Sequence, residues 1–400
     1  MCDPRAFSKL LDPKIELVSS YNLAAVDSVP TIYNLIIDVG QRLGSDDFGI
    51  DDRVGAWDLT LAGVLRRGVG EAVERYALRP PLDSDRHLSC ISVGVLADMP
   101  RITKALRLPL PEKDTQWIRA QRARMENGKT VIDTVLVDSD WVNLPTSKNA
   151  QEKHWFGTPS GTASQFGLEA AIDSSLRELI ERDAVVRAWN GLSGIELVQS
   201  INVRCASSRK LERLQHAFPL YLYRVKSRIG SAWTYIAWNV SSNYVAAGSS
   251  LMMCPACAAL HASIEALQVG ALLREITSRK EVHPKYKTVS TFADLSKQRM
   301  SFWASPKGVS AWKAWDTLAK ATSVQACHKE VLLTSSDVTA TGASHIWVDL
   351  TARLPKLVSD EGFRVVKSFV PELLSLSMSE GESWNYVLGG KPLANWEPLL

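Results

Sequence analysis

The chain has 400 residues, of which 46% are hydrophobic and 22% are charged, a composition typical of a globular protein with a substantial interior. This length exceeds the usual size of one compact core, so two lobes or one large composite domain are expected. The 46 basic and 43 acidic side chains give a formal net charge of +3, which is too close to balance for nucleic acid to be the main partner.

Six cysteines are scattered through the chain, which opens without an apolar signal segment. This pattern predicts the reducing cytoplasm. No run reaches the roughly 20 apolar residues that span a bilayer, so no membrane-spanning segment is expected. Cys254 and Cys257 have zinc-ligand spacing, but the sequence has no second such pair. Small apolar packing is the favoured interpretation of this pair, with a metal or redox role as the alternative.

Helical and strand patterns alternate along the chain. Apolar residues at helical spacing predict long amphipathic helices, and β-branched or aromatic runs near turn signals predict strands. The pattern gives helices at 57–79, 168–189 and 259–275, strands at 129–139, 221–227 and 232–242, and short loops at 207–212 and 278–286. The fold class expected is mixed α/β of the α+β type, with sheets backed by helices. Since no long linker is found, we predict one composite domain over 55–400, preceded by an extension or arm over 1–54.

A pattern of polar side chains recurs in the three predicted helices. In two helices a pair of glutamates, and in the third a glutamate and a glutamine, lie three residues apart on one helix face, and an arginine follows them. The three copies are Glu71, Glu74 and Arg75; Glu178, Glu181 and Arg182; and Glu265, Gln268 and Arg274. Taken alone, the 174–184 copy is most simply a solvated helix face, because Glu and Arg are good helix formers.

Convergence of the three helices would have a different consequence. As many as five carboxylates would meet, and they would repel one another unless cations or protons neutralised them. Oxygen ligands suit Mg²⁺ bound together with phosphate, and the neighbouring arginines suit the remaining phosphate charge. The small-residue loop 157–164, which contains Ser160 and Gly161, offers backbone N–H groups to an anion, although an ordinary capped turn is the simpler interpretation.

Other nucleotide and hydrolase motifs are missing from the sequence. Ala123 stands where a P-loop ending at Gly128-Lys129-Thr130 would need its first glycine. No G-x-S-x-G and no H-E-x-x-H motif occurs. These absences leave P-loop, serine-hydrolase and zinc-protease functions without support.

The three glutamate segments, the small-residue loop and the segment 348–376 resemble the motifs of the YcaO family, in the family's order and over about residues 55–376. The resemblance implies a non-P-loop ATP site in which glutamates from three helices hold Mg²⁺ and the nucleotide phosphates. It places Glu71, Glu74, Glu178, Glu181 and Glu265 at the metal. It places Ser160, Gly161, Arg75, Arg182, Gln268 and Arg274 near the nucleotide, and it leaves the catalytic residues unassigned.

The resemblance also implies an activity, in which ATP activates backbone amides of a ribosomally made precursor peptide. Cys, Ser or Thr residues then become thiazolines or oxazolines. Thioamide formation is an alternative within the family, and a non-catalytic scaffold or regulatory subunit is an alternative of another class. The expected partners are the precursor peptide, a separate leader-binding subunit and a flavin dehydrogenase, with neither nucleic acid nor membrane.

Overall fold

The computed structural model describes residues 4–26, 30–40, 53–79, 117–144, 158–203, 205–230, 232–278, 292–324 and 333–374. They form two compact units. The first unit contains the described residues of 1–27, 31–179 and 333–374, and the second contains mainly those of 180–332. The boundary between Leu179 and Ile180 lies inside a long helix.

Helices and strands are mixed throughout the described residues, so the predicted fold class is confirmed. The α-helices are α1 Pro4–Lys9, α2 Leu61–Ala77, α3 Ser139–Val142, α4 Leu168–Trp189, α5 Ala206–Ala217, α6 Pro255–Ser278, α7 Phe292–Trp303, α8 Pro306–Asp316, α9 Ser335–Ala340 and α10 Lys356–Asp360. The strands are β1 Val18–Val26, β2 Ile32–Val39, β3 Arg53–Asp58, β4 Trp117–Glu126, β5 Lys129–Asp138, β6 Thr162–Phe166, β7 Ile195–Ile201, β8 Leu220–Lys226, β9 Trp233–Val240, β10 Val245–Leu251, β11 Lys320–Val324, β12 His345–Asp349 and β13 Phe363–Phe369.

The first unit contains two antiparallel sheets, with strand orders β1-β2-β3 and β5-β4-β12-β13-β6. Asn127 and Gly128 make the β4–β5 turn with φ of 48° and 75°, the left-handed conformation that Asn and Gly tolerate best. The strand predicted at 129–139 is confirmed by β5, which begins at this turn.

Helix α2 packs its apolar face against β2 and β3. Val64, Val69 and Val73 are fully buried there. The helix begins at Leu61, four residues later than predicted, because the residues around Trp57 extend β3 and the Thr60 side chain then accepts the Gly63 N–H at 3.1 Å. Described residues of 1–54 supply buried side chains to the same core, among them Phe7, Leu10, Leu17 and Leu35.

The second unit has one five-stranded sheet in the order β10-β9-β8-β7-β11, in which β11 runs parallel to β7 and the other pairs are antiparallel. Helix α6 packs on β9 and β10. The core of this unit is rich in tryptophan, with Trp189, Trp238, Trp303 and Trp315 buried together. Their rings make tilted and edge contacts at centroid distances of 5.4–6.2 Å, so these tryptophans stabilise the core.

Two local predictions are wrong. The loop predicted at 207–212 lies inside α5, whose N-cap is Cys205 and whose apolar residues Leu211 and Leu214 are buried. The predicted loop 157–164 ends in β6, because Thr162–Phe166 pair with β13. The predicted strands at 221–227 and 232–242 are confirmed by β8 and β9, and the loop predicted at 278–286 lies almost entirely outside the described residues.

Helix α6 is long and apolar enough to cross a membrane by composition alone, but 61% of its most apolar window is buried in the protein. It packs on the sheet of the second unit and carries Glu265. A core helix of a globular protein has these properties.

Candidate functional site

Two predicted site residues of the first unit, Glu71 and Glu74, lie one turn apart on α2. Glu71 makes an ion pair with Arg75 at 3.4 Å. Both glutamates are half-buried, so they do not form the fully solvated face that their spacing alone would allow.

Strand β6 holds the second of these glutamates in place. The backbone N–H of Ser164 donates to Glu74 Oε1 at 2.8 Å, and the Ser164 hydroxyl donates to the carbonyl of Gly70 at 2.8 Å. One residue of β6 thus fixes both the carboxylate and the helix that carries it.

The turn before β6 holds the glutamate of α4. The N–H of Gly161 donates to Glu178 Oε2 at 3.2 Å, and Gly161 has φ of +77°. A Cβ at this position would lie 2.7 Å from the carbonyl oxygen of Ser368, so only glycine fits. The predicted anion-binding turn of Ser160 and Gly161 therefore lies directly beside a predicted metal-site glutamate.

Burial raises the pKa of Glu74 to about 8, and the charges of Glu178 and, less strongly, Glu71 act in the same direction. The Ser164 N–H and the Arg75 guanidinium lower this pKa but do not offset the rise. Carboxylates that repel one another in this way favour a cation or a proton at the cluster.

Lys367 on β13 is a site residue that the sequence analysis missed. Its side chain is almost fully buried, and its Nζ donates to the carbonyls of Thr158 and Ser160 at 2.5 Å each. Burial lowers the pKa of Lys367 to about 7, although the charges of Glu178 and Glu74 act to raise it. A lysine within the otherwise mainly apolar strand 363–369 was the signal that could have revealed it.

In the second unit, Glu181 and Glu265 meet at one residue of β10. The Ser249 hydroxyl donates to Glu181 Oε1 at 2.5 Å, while the Ser249 N–H donates to Glu265 Oε2 at 2.9 Å. The N–H of Leu251 completes the arrangement with a bond of 2.8 Å to Glu181 Oε2. Ser249 was also missed, because nothing in the sequence connects it with glutamates on two helices.

This convergence depends on a close approach of β10 to α6. A Cβ on Gly248 would lie 2.3 Å from the carbonyl oxygen of Ala262 and 2.7 Å from Cβ of Glu265. Glycine at 248 therefore lets the strand approach the helix backbone closely enough for the adjacent Ser249 to reach Glu265.

The remaining predicted residues differ in their surroundings. Arg182 and Gln268 are half-buried, beside Glu181 and one turn from Glu265 respectively. Arg274 is exposed and donates to the Tyr244 hydroxyl at 3.1 Å. Asp183, which ends the polar run of α4, is buried in an ion pair with Arg187 at 3.0 Å and has a structural role.

The donor set fits Mg²⁺ bound together with phosphate oxygens. In the described part of the chain, no group of three or more His, Cys, Asp or Glu side chains is arranged to hold a metal ion by itself. Magnesium is commonly held by one or two carboxylates, with phosphate oxygens and water as its other ligands. Pairs of half-buried glutamates can supply these one or two carboxylates. They are too few to form a metal site made of protein ligands alone.

Solved structures share the fold, among them three that match most of this chain. The structure of YcaO from Methanopyrus kandleri bound with AMPPCP and Mg²⁺ has a TM-score of 0.61 and 15% identity, over 92% of this chain and 91% of that one. The E. coli microcin synthetase McbBCD complex with pro-MccB17 bound has a TM-score of 0.61 and 10% identity, over 88% of each chain. A heterocyclase in complex with substrate and cofactor has a TM-score of 0.59 and 17% identity, over 99% of this chain and 55% of that one.

A family model described as YcaO cyclodehydratase, ATP- and Mg²⁺-binding, matches residues 60–374. The chain therefore belongs to the YcaO cyclodehydratase family, and the resemblance drawn from its motifs is confirmed. ATP and Mg²⁺ are the cofactors of this family. A comparison with curated proteins gives no match.

Proposed function

We propose that this protein is the ATP- and Mg²⁺-dependent cyclodehydratase component of a system that matures a ribosomally made peptide. The main support is that the five glutamates predicted to bind the metal are half-buried, in a chain that belongs to the YcaO cyclodehydratase family. Four of them accept a hydrogen bond from a backbone N–H or a serine hydroxyl, so their carboxylates are positioned before any ligand binds.

ATP would supply the phosphoryl group that turns a peptide amide oxygen into a leaving group, and Mg²⁺ would neutralise the phosphate charge. In the first unit, one or two carboxylates of the set Glu71, Glu74 and Glu178 would hold the cation, together with phosphate oxygens and water. The turn at Gly161 would keep Glu178 in place, and Lys367 would keep that turn rigid through its bonds to two carbonyls.

In the second unit, Glu181 and Glu265 would contribute further metal ligands, both oriented by Ser249. The nucleotide would be bound by the turn at Ser160 and by the side chains of Arg75, Arg182, Gln268 and Arg274. Arginines suit this task because a guanidinium donates several parallel hydrogen bonds to phosphate.

The substrate would be a precursor peptide in which Cys, Ser or Thr residues become thiazolines or oxazolines. A separate subunit would bind the leader segment, and a flavin dehydrogenase would oxidise the rings. The E. coli microcin synthetase McbBCD complex with pro-MccB17 bound shares the fold, which supports the expectation of partner subunits. Cytoplasmic location remains a prediction from the cysteine content.

The test combines phosphate release with mass spectrometry. The purified protein is assayed with Mg-ATP, the precursor encoded by a neighbouring gene and the candidate partner subunit. Phosphate release should require the peptide and stop in EDTA, and the peptide should lose about 18 Da for each ring formed.

Two other results would change the assignment. A gain of about 16 Da per modified residue would replace cyclodehydration by thioamide formation, since sulfur would have replaced oxygen. No binding of Mg-ATP, with or without the partner, would leave the scaffold hypothesis.

A further inference from the structure

A chain of side-chain hydrogen bonds in the first unit leads to the helix α4. His345, at the start of β12, lies between two serine hydroxyls: Ser335 Oγ is 2.7 Å from Nδ1, and Ser368 Oγ is 3.0 Å from Nε2. Ser368 Oγ also lies 2.6 Å from Ser175 Oγ, and the Ser175 hydroxyl donates to the carbonyl of Ile172 at 2.8 Å. His345, Ser368 and Ser175 are fully buried. The chain therefore connects α9, β12 and β13 to a helix that carries glutamates of the site.

The available protons fix the direction of this chain. Each serine hydroxyl has one proton to donate, and a neutral imidazole has one. Burial lowers the pKa of His345 to about 3, so its ring is neutral. Because the Ser175 proton is used at Ile172, the Ser368 hydroxyl must donate to Ser175. His345 must then donate from Nε2 to Ser368 and accept from Ser335 at Nδ1. In the reverse direction, the contact between Ser175 and Ile172 would have no proton.

Ser368 holds both the turn and the helix that meet at Glu178. Its backbone N–H donates to the carbonyl of Gly161 at 2.7 Å, and its side chain contacts Ser175. Ser175 lies one turn before Glu178 on the same face of α4, and Glu178 Oε2 accepts the Gly161 N–H. Strand, turn, carboxylate and helix thus form a closed set of contacts, in which the separation of α4 from β13 sets the distance between Glu178 and Gly161.

The hydrogen bond between Gly161 and Glu178 is sensitive to that separation. Its length of 3.2 Å is at the upper end of the usual range for an N–H···O bond. A shift of α4 by about 0.5 Å would therefore take the carboxylate out of hydrogen-bond range of the turn. Removal of a buried hydroxyl that joins the two elements would favour such a shift, because the hydroxyl left behind has lost its partner.

We propose that Ser368, Ser175 and His345 are positioning residues for Glu178. The proposal rests on the proposed function, in which Glu178 belongs to the carboxylates that hold Mg²⁺ against the ATP phosphates. His345 orients the Ser368 hydroxyl towards Ser175, and the two serines hold α4 at the distance from β13 that places Glu178 on the Gly161 turn. The three residues act through the position of the carboxylate, without contacting nucleotide or metal.

A purely structural role is the alternative, since satisfied chains of polar groups in a core also make a protein rigid. The two roles differ in their coupling to Glu178. A positioning residue affects turnover through this carboxylate and loses its effect when the carboxylate is removed. A residue that only stabilises the fold changes thermal melting, and any effect it has on turnover adds to that of a change at Glu178.

The first test is a double-mutant cycle on peptide-dependent phosphate release by the full-length protein with its partner subunit. Ser368→Ala should lower kcat/KM about tenfold, less than Glu178→Gln does, because the carboxylate is displaced and not removed. In the Glu178→Gln background, Ser368→Ala should add less than about a twofold further loss. Ser175→Ala should have the same effect as Ser368→Ala, and it serves as the second variant where Ser368→Ala does not fold.

The matched control is Ser263→Ala. Ser263 is a fully buried serine of α6, and its hydroxyl donates to the carbonyl of Ala259 in the same helix at 2.7 Å. This variant loses a buried hydroxyl and leaves the contacts of Gly161 unchanged. It should therefore melt at a lower temperature, as Ser368→Ala does, and keep wild-type turnover.

The second test does not depend on ATP. Nitrogen-15 NMR of histidine-labelled protein reports the tautomer of each ring, and the His345 signal is the one lost in His345→Gln. We expect a neutral His345 with its proton on Nε2 at pH 7. Hydrogen exchange followed by mass spectrometry reports the turn itself. The segment that contains Gly161 should exchange at least about fivefold faster in Ser368→Ala than in the wild-type protein or in Ser263→Ala.

Any of three results would overturn the inference. One is wild-type turnover in folded Ser368→Ala and Ser175→Ala proteins, and another is a loss that is fully additive with that of Glu178→Gln. The third is a His345 ring with its proton on Nδ1, or unchanged exchange at Gly161 in Ser368→Ala. A wild-type protein that releases no phosphate would contradict the proposed function, and the NMR and exchange results would then decide this inference by themselves.

Discussion

The glutamates of the first unit and those of the second unit are held in different ways. In the first unit, Glu74 and Glu178 each accept one backbone N–H, repel each other and lie near the buried Lys367. In the second unit, Glu181 and Glu265 share Ser249 as a donor. The glutamates of the first unit repel each other, and a bound cation would relieve this repulsion. The glutamates of the second unit are instead held in position by neutral hydrogen-bond donors.

The largest expected effect comes from removing one carboxylate charge on α4, in either unit. Glu178→Gln and Glu181→Gln should each lower peptide-dependent phosphate release by a factor of about 100 or more, on the order of 3 kcal/mol of transition-state stabilisation. Helix propensity is retained, so both variants should stay folded, and Glu178→Gln should keep or gain thermal stability because it relieves the repulsion of Glu74. The matched control is Glu169→Gln, an exposed position on the same helix. Near-wild-type turnover in both site variants would return this helix to the solvated-face interpretation.

The pH dependence of stability should reveal the repulsion in the first unit. The pKa of Glu74 is about 8 in the folded protein against 4.5 for an ordinary glutamate, so the folded state holds an extra proton between these values. Stability contributed by that proton is complete below pH 4.5 and is lost as the pH rises to about 8.

Glu74→Gln should remove this loss. In metal-free protein, the variant should gain about 2 kcal/mol of unfolding free energy over wild type between pH 4.5 and 8.5, less than the full pKa shift would give because the carboxylate keeps some solvent contact. Urea unfolding of both proteins at several pH values measures this. The comparison cancels the contribution of His345, whose pKa burial lowers to about 3, and it includes the change at Lys367, whose pKa the Glu74 charge acts to raise. Parallel stability curves would show that the repulsion is absent.

Ser249 provides the corresponding test of the second unit. Ser249→Ala keeps the N–H bond to Glu265 but deletes the hydroxyl bond to Glu181, and hydrogen bonds to charged groups are worth about 1.5–3 kcal/mol. Since the Leu251 N–H still holds Glu181, we expect roughly a tenfold loss of Mg-ATP affinity in a calorimetric titration. Ser250→Ala on the same strand is the control and should bind normally.

Arg274 should show the smallest effect. Its side chain is exposed and bonded to the Tyr244 hydroxyl, and exposed charges contribute about 0–1 kcal/mol. We expect Arg274→Gln to weaken Mg-ATP binding by about twofold. A loss of more than about tenfold would mean that this guanidinium leaves Tyr244 and binds phosphate directly.

Local patterns were sufficient for the helices that carry the site. Apolar spacing located α4 at its observed bounds and α2 to within four residues at its start. Of the two local predictions that failed, one was decided by strand pairing at a distance. The predicted loop at 157–164 could not reveal β6, because β6 exists through its pairing with β13, about 200 residues later. The predicted composite domain over 55–400 remains a prediction beside the two compact units.

The sequence by itself determined which glutamates share a helix face, because side chains three residues apart on a helix are neighbours whatever the rest of the fold does. It also determined the family, since its motifs are local and ordered. Only the tertiary structure decided what holds each carboxylate. Ser164, Lys367 and Ser249 lie on strands outside the helices that carry the glutamates beside them. Sheet pairing and helix packing determine which residues meet these glutamates, and the spacing of residues along the sequence does not predict that pairing.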